Sequence, residues 1–356
     1  EAIIDLGDGI AVVATNTWFA IQAAGAIDIK WASATYPADT LVLRSAIMAS
    51  LVGETDSTVR DDGDVDMKVA GTVVTAEYYV PWLAHATMEP MTATAHFTGN
   101  TLEVWVGNQS PTATRDACAK AVGLDPSQVI IHTTMMGGSF GRRGESDFSV
   151  QAAILAKAMP STPIRMTWTR AEDIKNDFFR PAIAAQFRGV VANGKAVLVD
   201  GKIAGPSVFQ KSSLRQQGSI PPGPDRLHVE GAADQPYGIQ NFRIAGHLTD
   251  IDVPVGFWRS VGASANGFIF DTFIDELAHA AGVDPLQFRL ELTRSEHSPS
   301  ASVIDAVREM SGWTGTTPDG IGRGVAFTHS FGTPVAVVTE VEDTGGGIKI
   351  NKCWIA

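Results

Sequence analysis

Residues 136–145 read Met-Gly-Gly-Ser-Phe-Gly-Arg-Arg-Gly-Glu, and they constrain the fold of this chain more than any other segment. Four glycines within ten residues allow sharp turns and a close approach of a ligand to the backbone. The surrounding pattern predicts a strand at residues 129–133 and a helix at residues 147–159. A glycine-rich loop between a strand and a helix can present amide N–H groups to an anion. Residues 136–145, called the glycine loop below, are therefore either a cofactor cradle or a structural turn.

The glycine spacing separates this loop from two common nucleotide-binding motifs. Gly138, Gly141 and Gly144 form the pattern G-x-x-G-x-x-G. The dinucleotide fingerprint is G-x-G-x-x-G, and a P-loop needs Lys-Ser/Thr, which is missing here. A nicotinamide-dependent dehydrogenase is therefore a distant alternative. Arg142 and Arg143 supply forked donors that suit phosphate or another oxyanion.

Two further segments carry candidate ligand-binding side chains. Gln109 follows a predicted strand at residues 101–107, and its amide can both donate and accept hydrogen bonds. The alternative for Gln109 is a turn residue bound to the backbone. Arg259 lies in residues 254–262, Pro-Val-Gly-Phe-Trp-Arg-Ser-Val-Gly, called the Arg259 loop below. An arginine in such apolar company needs an anionic or carbonyl partner, and a structural carboxylate is the alternative to a ligand.

Composition excludes several classes of function. The formal net charge of -12 argues against a nucleic-acid partner, because phosphate binding needs a basic surface. No run of 18 or more apolar residues is present, so no membrane span is predicted. Cys118 and Cys353 are too few for a four-cysteine iron–sulfur or zinc site, and two buried free thiols are expected. The eight histidines show no metal-ligand spacing.

The order of predicted elements favours an α+β fold with mixed sheets over one doubly wound sheet, because steady βαβ alternation is absent. Strands are predicted at residues 10–14, 27–31, 67–79, 101–107, 129–133, 164–169, 183–191, 242–249, 324–329, 334–342 and 348–356. Helices are predicted at residues 17–24, 112–122, 147–159, 264–281 and 300–313, with another that begins at 285. Residues 52–66 and 218–226 are predicted loops or linkers.

Several segments, taken in chain order, carry a family resemblance. They include HATMEPMTATAHF, VGNQSPTATR, GGSFGRRGESDFSVQAAILAK and VPVGFWRSVGASANGFIFDTFIDELAHAAGVDPLQFRL. Together they resemble the molybdenum-binding large subunits of the xanthine oxidase and aldehyde oxidase superfamily. Within it, the branch of isoquinoline 1-oxidoreductase beta subunits is the most similar. The implied fold is α+β, with the mixed-sheet layers of a molybdenum-hydroxylase large subunit, incomplete at both ends.

The resemblance implies a set of cofactor-binding residues. Gln109 matches the glutamine whose amide contacts an oxo ligand of molybdenum, and Arg259 matches an arginine at the pterin and substrate pocket. The Gly-x-Phe-Gly loop beside the metal corresponds to the glycine loop. A cytosine-dinucleotide form of molybdopterin would carry a pyrophosphate for Arg142 and Arg143 to meet. The full implied set is Gln109, Gly138, Ser139, Phe140, Gly141, Arg142, Arg143 and Arg259.

The resemblance also implies a substrate pocket at Trp258, Val261 and Glu145, and no protein ligand to the metal, which is held through the pterin. Val261 stands where the family motif has a substrate-stacking phenylalanine. Glu145 is displaced along the chain from the purine-binding glutamate of the family, which disfavours purine oxidation. A planar N-heterocycle and an aldehyde both stay open as substrates.

Two family segments are missing from the sequence. One is an upstream Gly-Gln-Gly segment. The other is a Gly-x-Gly-Glu segment that carries the general base and is expected beyond Ala356, so the catalytic residue is unknown. The implied domains are 1–58, the end of a hammerhead-like α/β region, 59–292, the first molybdopterin-binding domain, and 293–356, the start of the second. The chain is expected to be the middle part of a longer subunit.

The implied function is oxidation of an N-heteroaromatic compound or an aldehyde, with water as the source of oxygen. Electrons would pass to a small partner subunit with two [2Fe–2S] clusters, and the remaining parts of the large subunit are further expected partners. The branch commonly carries a twin-arginine export signal, which favours the bacterial periplasm over the cytoplasm. The alternative is a catalytically inert fragment or an assembly module that lacks the glutamate segment.

Overall fold

In the computed structural model, which describes residues 2–356, strands and helices follow one another irregularly along the chain. The strands are β1 (Ala2–Asp5), β2 (Ile10–Val13), β3 (Ser57–Asp62), β4 (Thr72–Val80), β5 (Thr92–Phe97), β6 (Leu102–Val106), β7 (Val129–Thr133), β8 (Ile164–Thr167), β9 (Ile183–Ala192), β10 (Lys195–Gly205), β11 (Asn241–Leu248), β12 (Ile321–Ser330), β13 (Thr333–Asp343) and β14 (Ile348–Ile355). The helices are α1 (Thr17–Gly25), α2 (Thr40–Ser50), α3 (Pro111–Val122), α4 (Asp147–Ala158), α5 (Arg170–Lys175), α6 (Val208–Gln217), α7 (Ala263–Ala281), α8 (Pro285–Thr293) and α9 (Ser298–Ser311). The predicted α+β class with mixed sheets is confirmed.

The largest sheet has five strands in the order β3-β11-β10-β9-β4. β10 and β11 are parallel, and the other pairs are antiparallel. Successive residues of a strand face opposite sides of its sheet. In β9, Ala184 packs in a core with Leu43 and Ile47 of α2, whereas Ala185 packs in a core with Phe273 of α7. The sheet is therefore covered by a helix on each face.

A second sheet, in the order β7-β6-β5-β8, positions two of the three predicted ligand-binding segments. β6 and β7 are parallel, and Val106 at the end of β6 pairs with Thr133 at the end of β7. The carboxyl ends of parallel neighbours lie at the same edge of a sheet. Gln109, which follows β6, and the glycine loop, which follows β7, are therefore brought together by the topology.

The remaining strands form two smaller sheets. β12, β13 and β14 are antiparallel in that order, and α9 packs on β13. The core under α7 includes Ile304 of α9 and Val338 of β13, which lie beyond the predicted domain boundary at residues 292 and 293. The domain boundaries themselves stay predictions. β1 and β2 form a hairpin whose Ile4 packs against the four-stranded sheet.

Three predicted elements differ from the structure. The strand predicted at residues 67–79 begins only at Thr72 and ends at Val80. Residues 27–31 alternate like a strand but form none, and Trp31 is 74% exposed because no neighbouring strand pairs with the segment. Residues 52–66 were expected to be a loop, yet they include β3. β3 is an edge strand of the five-stranded sheet, where Asp61 and Asp62 are exposed, and an edge position tolerates such charges.

Several elements were not anticipated, namely α2, α5, α6, β1, β5 and β10. The strands and helices that adjoin the glycine loop agree with the predicted ones to within a residue or two. Within residues 2–356, no helix combines the length and the apolar character needed to cross a membrane.

The two cysteines differ in burial, which corrects the expectation that both are buried. Cys118 is a free thiol inside α3, and burial raises its pKa to about 12. Cys353 is a free thiol exposed on β14.

We expect Ellman's reagent at pH 8 to titrate one thiol in the folded protein and two thiols after denaturation. The reagent needs an accessible thiolate, which Cys118 does not offer in the folded chain. In the control variant Cys353→Ser, rapid reaction should disappear. Rapid reaction that survives this substitution would contradict the buried placement of Cys118.

Candidate functional site

The three predicted ligand-binding segments are in direct contact. The side-chain oxygen of Gln109 accepts a hydrogen bond from Ser139 Oγ and another from the Gly141 N–H, at 3.2 Å. On the other side of the glycine loop, the Arg259 N–H donates to the Phe140 carbonyl, at 2.8 Å. The glycine loop is therefore held between Gln109 and the Arg259 loop.

Gly141 lies at the closest approach between the glycine loop and the Arg259 loop. Its φ is +110°, and a Cβ added there would lie 1.8 Å from the carbonyl oxygen of Phe257. Phe140, Ser260 and Val261 also have positive φ, at 57°, 72° and 48°. Such values are uncommon for residues other than glycine, above all for a β-branched valine. Backbone strain of this kind clusters at functional sites, so its concentration where the two loops meet supports a binding role.

The hydrogen bonds fix the orientation of the Gln109 amide. Because the Gly141 N–H can only donate, the atom facing it must be Oε1, and Nε2 keeps its two N–H groups for other partners. The backbone N–H of Gln109 donates to the Arg143 carbonyl, at 2.9 Å, which holds the residue against the loop. No hydrogen bond within residues 2–356 uses the N–H groups of Gly138, Ser139 or Phe140. These donors are therefore free to meet an oxyanion.

Arg142 does not point toward a ligand, although it was expected to contact a pyrophosphate. Its side chain is buried, donates to both carboxylate oxygens of Asp147, at 2.9 and 2.7 Å, and pairs with Asp177, at 3.1 Å. Burial alone would lower the pKa of Arg142, but the carboxylates of Asp147 and Asp177 outweigh it and raise that pKa. Both terminal nitrogens of the guanidinium are therefore occupied by Asp147, and Nε lies beside Asp177 without forming a hydrogen bond.

Arg143 does not point toward a ligand either, although the resemblance implies that it contacts a pyrophosphate. Its side chain is fully buried and donates to the Glu89 carboxylate, at 2.7 Å, and to the carbonyl of Gly138, at 3.0 Å. Burial lowers the pKa of Arg143. Glu89 also accepts the Gly137 N–H, at 3.1 Å, so this ion pair shapes the first half of the glycine loop. Both arginine side chains therefore stabilise the glycine loop from the protein interior.

His85 and Asp177 also stabilise the site, and no sequence motif predicts this role for either of them. The Nδ1 atom of His85 lies 2.9 Å from an Asp177 carboxylate oxygen, and Nε2 lies 3.1 Å from the Phe257 carbonyl. Both ring nitrogens therefore face acceptors. The ring also packs on Trp258, with centroids 4.7 Å apart. His85 thus holds the Arg259 loop at the carbonyl that Gly141 approaches.

Arg259 is exposed, and none of the ion pairs within residues 2–356 includes it. Its guanidinium carbon lies 5.8 Å from the centre of the Phe140 ring, which is also exposed. The alternative in which Arg259 pairs with a structural carboxylate is therefore wrong. A cation that lies beside free amide donors is suited to an anionic ligand.

A cavity of about 40 Å³ lies behind the Arg259 loop. Trp258 and Val261, two of the three predicted pocket residues, line it. Glu145 does not line it, because its buried carboxylate pairs with Arg215 of α6, at 2.5 Å. Asn266 lines the cavity and was not anticipated. Within residues 2–356, no three His, Cys, Asp or Glu side chains form a metal-binding group.

Comparison with known proteins identifies the family. Residues 52–291 match the model of the molybdopterin cofactor-binding domain. The chain belongs to this family. The matched region includes Gln109, the glycine loop and Arg259, and the predicted family is confirmed.

Two relatives are similar to this chain in sequence, and one solved structure is similar to it in fold. The B subunit of nicotinate dehydrogenase from Pseudomonas putida is 28% identical over 316 residues, covering 86% of this chain and 26% of that protein. The beta subunit of isoquinoline 1-oxidoreductase from Brevundimonas diminuta is 26% identical over 388 residues, covering 99% of this chain and 47% of that protein. The crystal structure of quinoline 2-oxidoreductase from Pseudomonas putida 86 has a TM-score of 0.68 at 16% identity, covering 88% of this chain and 44% of that one. The molybdopterin-binding chain thus spans less than half the length of these relatives, and the structural match shares its fold.

Proposed function

We propose that this chain forms the central cofactor-binding part of a molybdopterin-dependent hydroxylase, which oxidises an N-heteroaromatic compound or an aldehyde with water as the oxygen source. The observation that carries the proposal is the contact between Gln109, the glycine loop and Arg259. These segments are separated along the chain, lie within the region matched by the family, and present unused donors together.

The donor set fits the proposed cofactor. The Nε2 atom of Gln109 and the free N–H groups of residues 138–140 are neutral donors, which suit oxo groups and phosphate oxygens. Gly141 lets the glycine loop pack directly against the Phe257 carbonyl of the Arg259 loop. When bound, the molybdenum–pterin group would supply the two-electron oxidation chemistry. The chain's own contribution is to hold donors in place before the substrate arrives, so that no reorganisation is needed during the reaction.

The buried arginines change how the phosphate end of the cofactor would be held. Because Arg142 and Arg143 are engaged with carboxylates, Arg259 and the amide N–H groups are left to meet an anionic group. The cytosine-dinucleotide form of the cofactor stays part of the proposal on the strength of the family resemblance.

The proposal includes partners that supply what this chain lacks. The general-base glutamate would come from the remaining part of the large subunit. A small subunit with [2Fe–2S] clusters would accept the electrons. Both relatives are named as subunits of their enzymes, which supports an assembly of several chains. We place the assembly in the bacterial periplasm, with the cytoplasm as the alternative.

Metal analysis of the complete assembly tests the proposal. We expect molybdenum in near-stoichiometric amount, and oxidation of an aldehyde or N-heteroaromatic probe with an artificial electron acceptor. An assembly without molybdenum would overturn it. The alternative, an inert assembly module, predicts no turnover even when the complete assembly is loaded with molybdenum.

The substitution Gln109→Ala in the complete enzyme is expected to lower kcat by about tenfold or more with little change in KM, because the amide would act at the reacting centre. The control variant is Gln287→Ala, since Gln287 is an exposed glutamine on α8 far from the glycine loop along the chain. Steady-state kinetics with one aldehyde probe would measure both variants. Unchanged kcat in Gln109→Ala would mean that Gln109 only holds the glycine loop.

A further inference from the structure

The cavity behind the Arg259 loop has apolar walls and one polar side. Phe209 and Leu227 contribute to the apolar walls together with Trp258. His228 and Asn266 form the polar side, and both side chains are more than nine-tenths buried. The volume of about 40 Å³ leaves room for the edge of one ring. Buried polar groups in such a cavity determine which ligand edge fits.

Asn266 has a fixed orientation and an unused acceptor. Its Nδ2 donates to the carbonyls of His228 and Glu230, at 2.9 and 2.8 Å. Carbonyl oxygens only accept, so the two amide positions cannot be exchanged. Oδ1 is buried and has no hydrogen-bond partner within residues 2–356. An acceptor left unsatisfied in the interior is unfavourable, and a donor on a ligand would remove that penalty.

The neighbouring polar groups are also acceptors. The Nε2 atom of His228 lies 3.2 Å from the carbonyl of Ile203, so it carries the hydrogen. Burial lowers the pKa of His228, and the ring is neutral, which leaves Nδ1 as a lone-pair acceptor. Asp225 beside it uses its carboxylate to accept from Ser207 Oγ, at 2.6 Å. This side of the cavity offers no free donor.

We propose that the cavity receives the leading edge of the substrate ring and selects an uncharged planar ring that carries a hydrogen-bond donor, an N–H or O–H group, for Asn266 to accept. This inference rests on the proposed function and narrows its substrate class. A site with a buried unpaired acceptor discriminates strongly against an analogue that lacks the donor, because binding then leaves the acceptor unsatisfied.

Arg180, which also lines the cavity, favours a different ligand. Its Nη2 donates to the Pro81 carbonyl, at 2.9 Å, and its guanidinium lies 6.0 Å from the Trp258 ring. Its buried Nε has no hydrogen-bond partner within residues 2–356. A substrate carboxylate would be attracted to Arg180 but repelled by the acceptors around Asn266. Recognition by Asn266 predicts tighter binding of an uncharged ring with a donor, whereas recognition by Arg180 predicts tighter binding of a matched carboxylate.

Equilibrium binding of three small planar probes to the complete protein tests the inference. 2-Acetylpyrrole carries a ring N–H, 2-acetylfuran replaces it by an oxygen, and furan-2-carboxylate replaces the acetyl group by an anion. Titration calorimetry is to be run on the wild type, on Asn266→Leu, and on the control Asn176→Leu, which removes an exposed asparagine at the end of α5.

We expect the wild type and Asn176→Leu to bind 2-acetylpyrrole about tenfold more tightly than 2-acetylfuran, and Asn266→Leu to lose this preference. Equal binding of the two probes by the wild type would overturn the inference, even if Asn266→Leu fails to fold. Tightest binding of furan-2-carboxylate would overturn it in favour of Arg180.

The titrations are run without an electron acceptor, so the result does not depend on turnover. If the protein contains no molybdenum but binds 2-acetylpyrrole more tightly than 2-acetylfuran through Asn266, the proposed function is wrong and the inference about the cavity still holds. An enzyme that contains molybdenum but binds 2-acetylpyrrole and 2-acetylfuran equally would support the proposed function and overturn the inference about the cavity.

Discussion

The substitution Gly141→Ala is expected to lower the free energy of unfolding by about 3 kcal/mol or more, and to prevent cofactor loading. The added Cβ would lie 1.8 Å from the Phe257 carbonyl, at a φ of +110° that an alanine rarely adopts. The obstacle is backbone, which cannot rotate away as a side chain would. Relief requires the Arg259 loop to move, and that movement would break the hydrogen bond between Arg259 and Phe140.

Gly144 supplies a matched control within the same loop. A Cβ added at Gly144 would meet no atom within 4 Å, and its φ is not in the left-handed range. We expect Gly144→Ala to change the free energy of unfolding by no more than about 0.5 kcal/mol. Chemical denaturation and molybdenum content would be measured for both variants. If Gly141→Ala matched Gly144→Ala in both measurements, the close packing of the two loops would not matter for the site.

The local context of the glycine loop could be predicted from sequence because its signals are local. The apolar run of β7, the helical pattern of α4 and the glycine spacing lie within a few residues of one another. Gln109 could be placed beside the loop only through the end of β6, and the parallel pairing of β6 with β7 was not part of the prediction. The family resemblance supplied that link.

The support behind the loop could not be predicted, because it depends on long-range pairing. His85 and Asp177 are 92 residues apart, and neither shows a local pattern that reveals the other. The two arginines could be assigned to a ligand or to the interior equally well, since only the packing of α4 and of the segment near Asp177 decides which way they point. Asn266 looked like one polar residue in an amphipathic helix, and its unused acceptor becomes visible only with both partner carbonyls in place.

Asp177→Asn is expected to lower the free energy of unfolding by about 3–5 kcal/mol, because Asp177 is a buried carboxylate paired with a buried arginine. The carboxylate accepts from the backbone N–H and the ring of His85 and pairs with Arg142. An asparagine would keep one acceptor but place an NH₂ group against a second donor. The buried guanidinium would also lose one of its two counter-charges.

Asp147→Asn tests the same arginine with a partner nearer the solvent. The Asp147 side chain is 27% exposed against 2% for Asp177, and none of its hydrogen bonds involves His85. We therefore expect a loss of only about 1 kcal/mol, measured by urea unfolding alongside Asp177→Asn. Equal losses would mean that charge balance at Arg142 alone matters. A clearly larger loss for Asp177→Asn would mean that the tie through His85 to the Phe257 carbonyl stabilises the Arg259 loop, and with it the surface where the cofactor is proposed to bind.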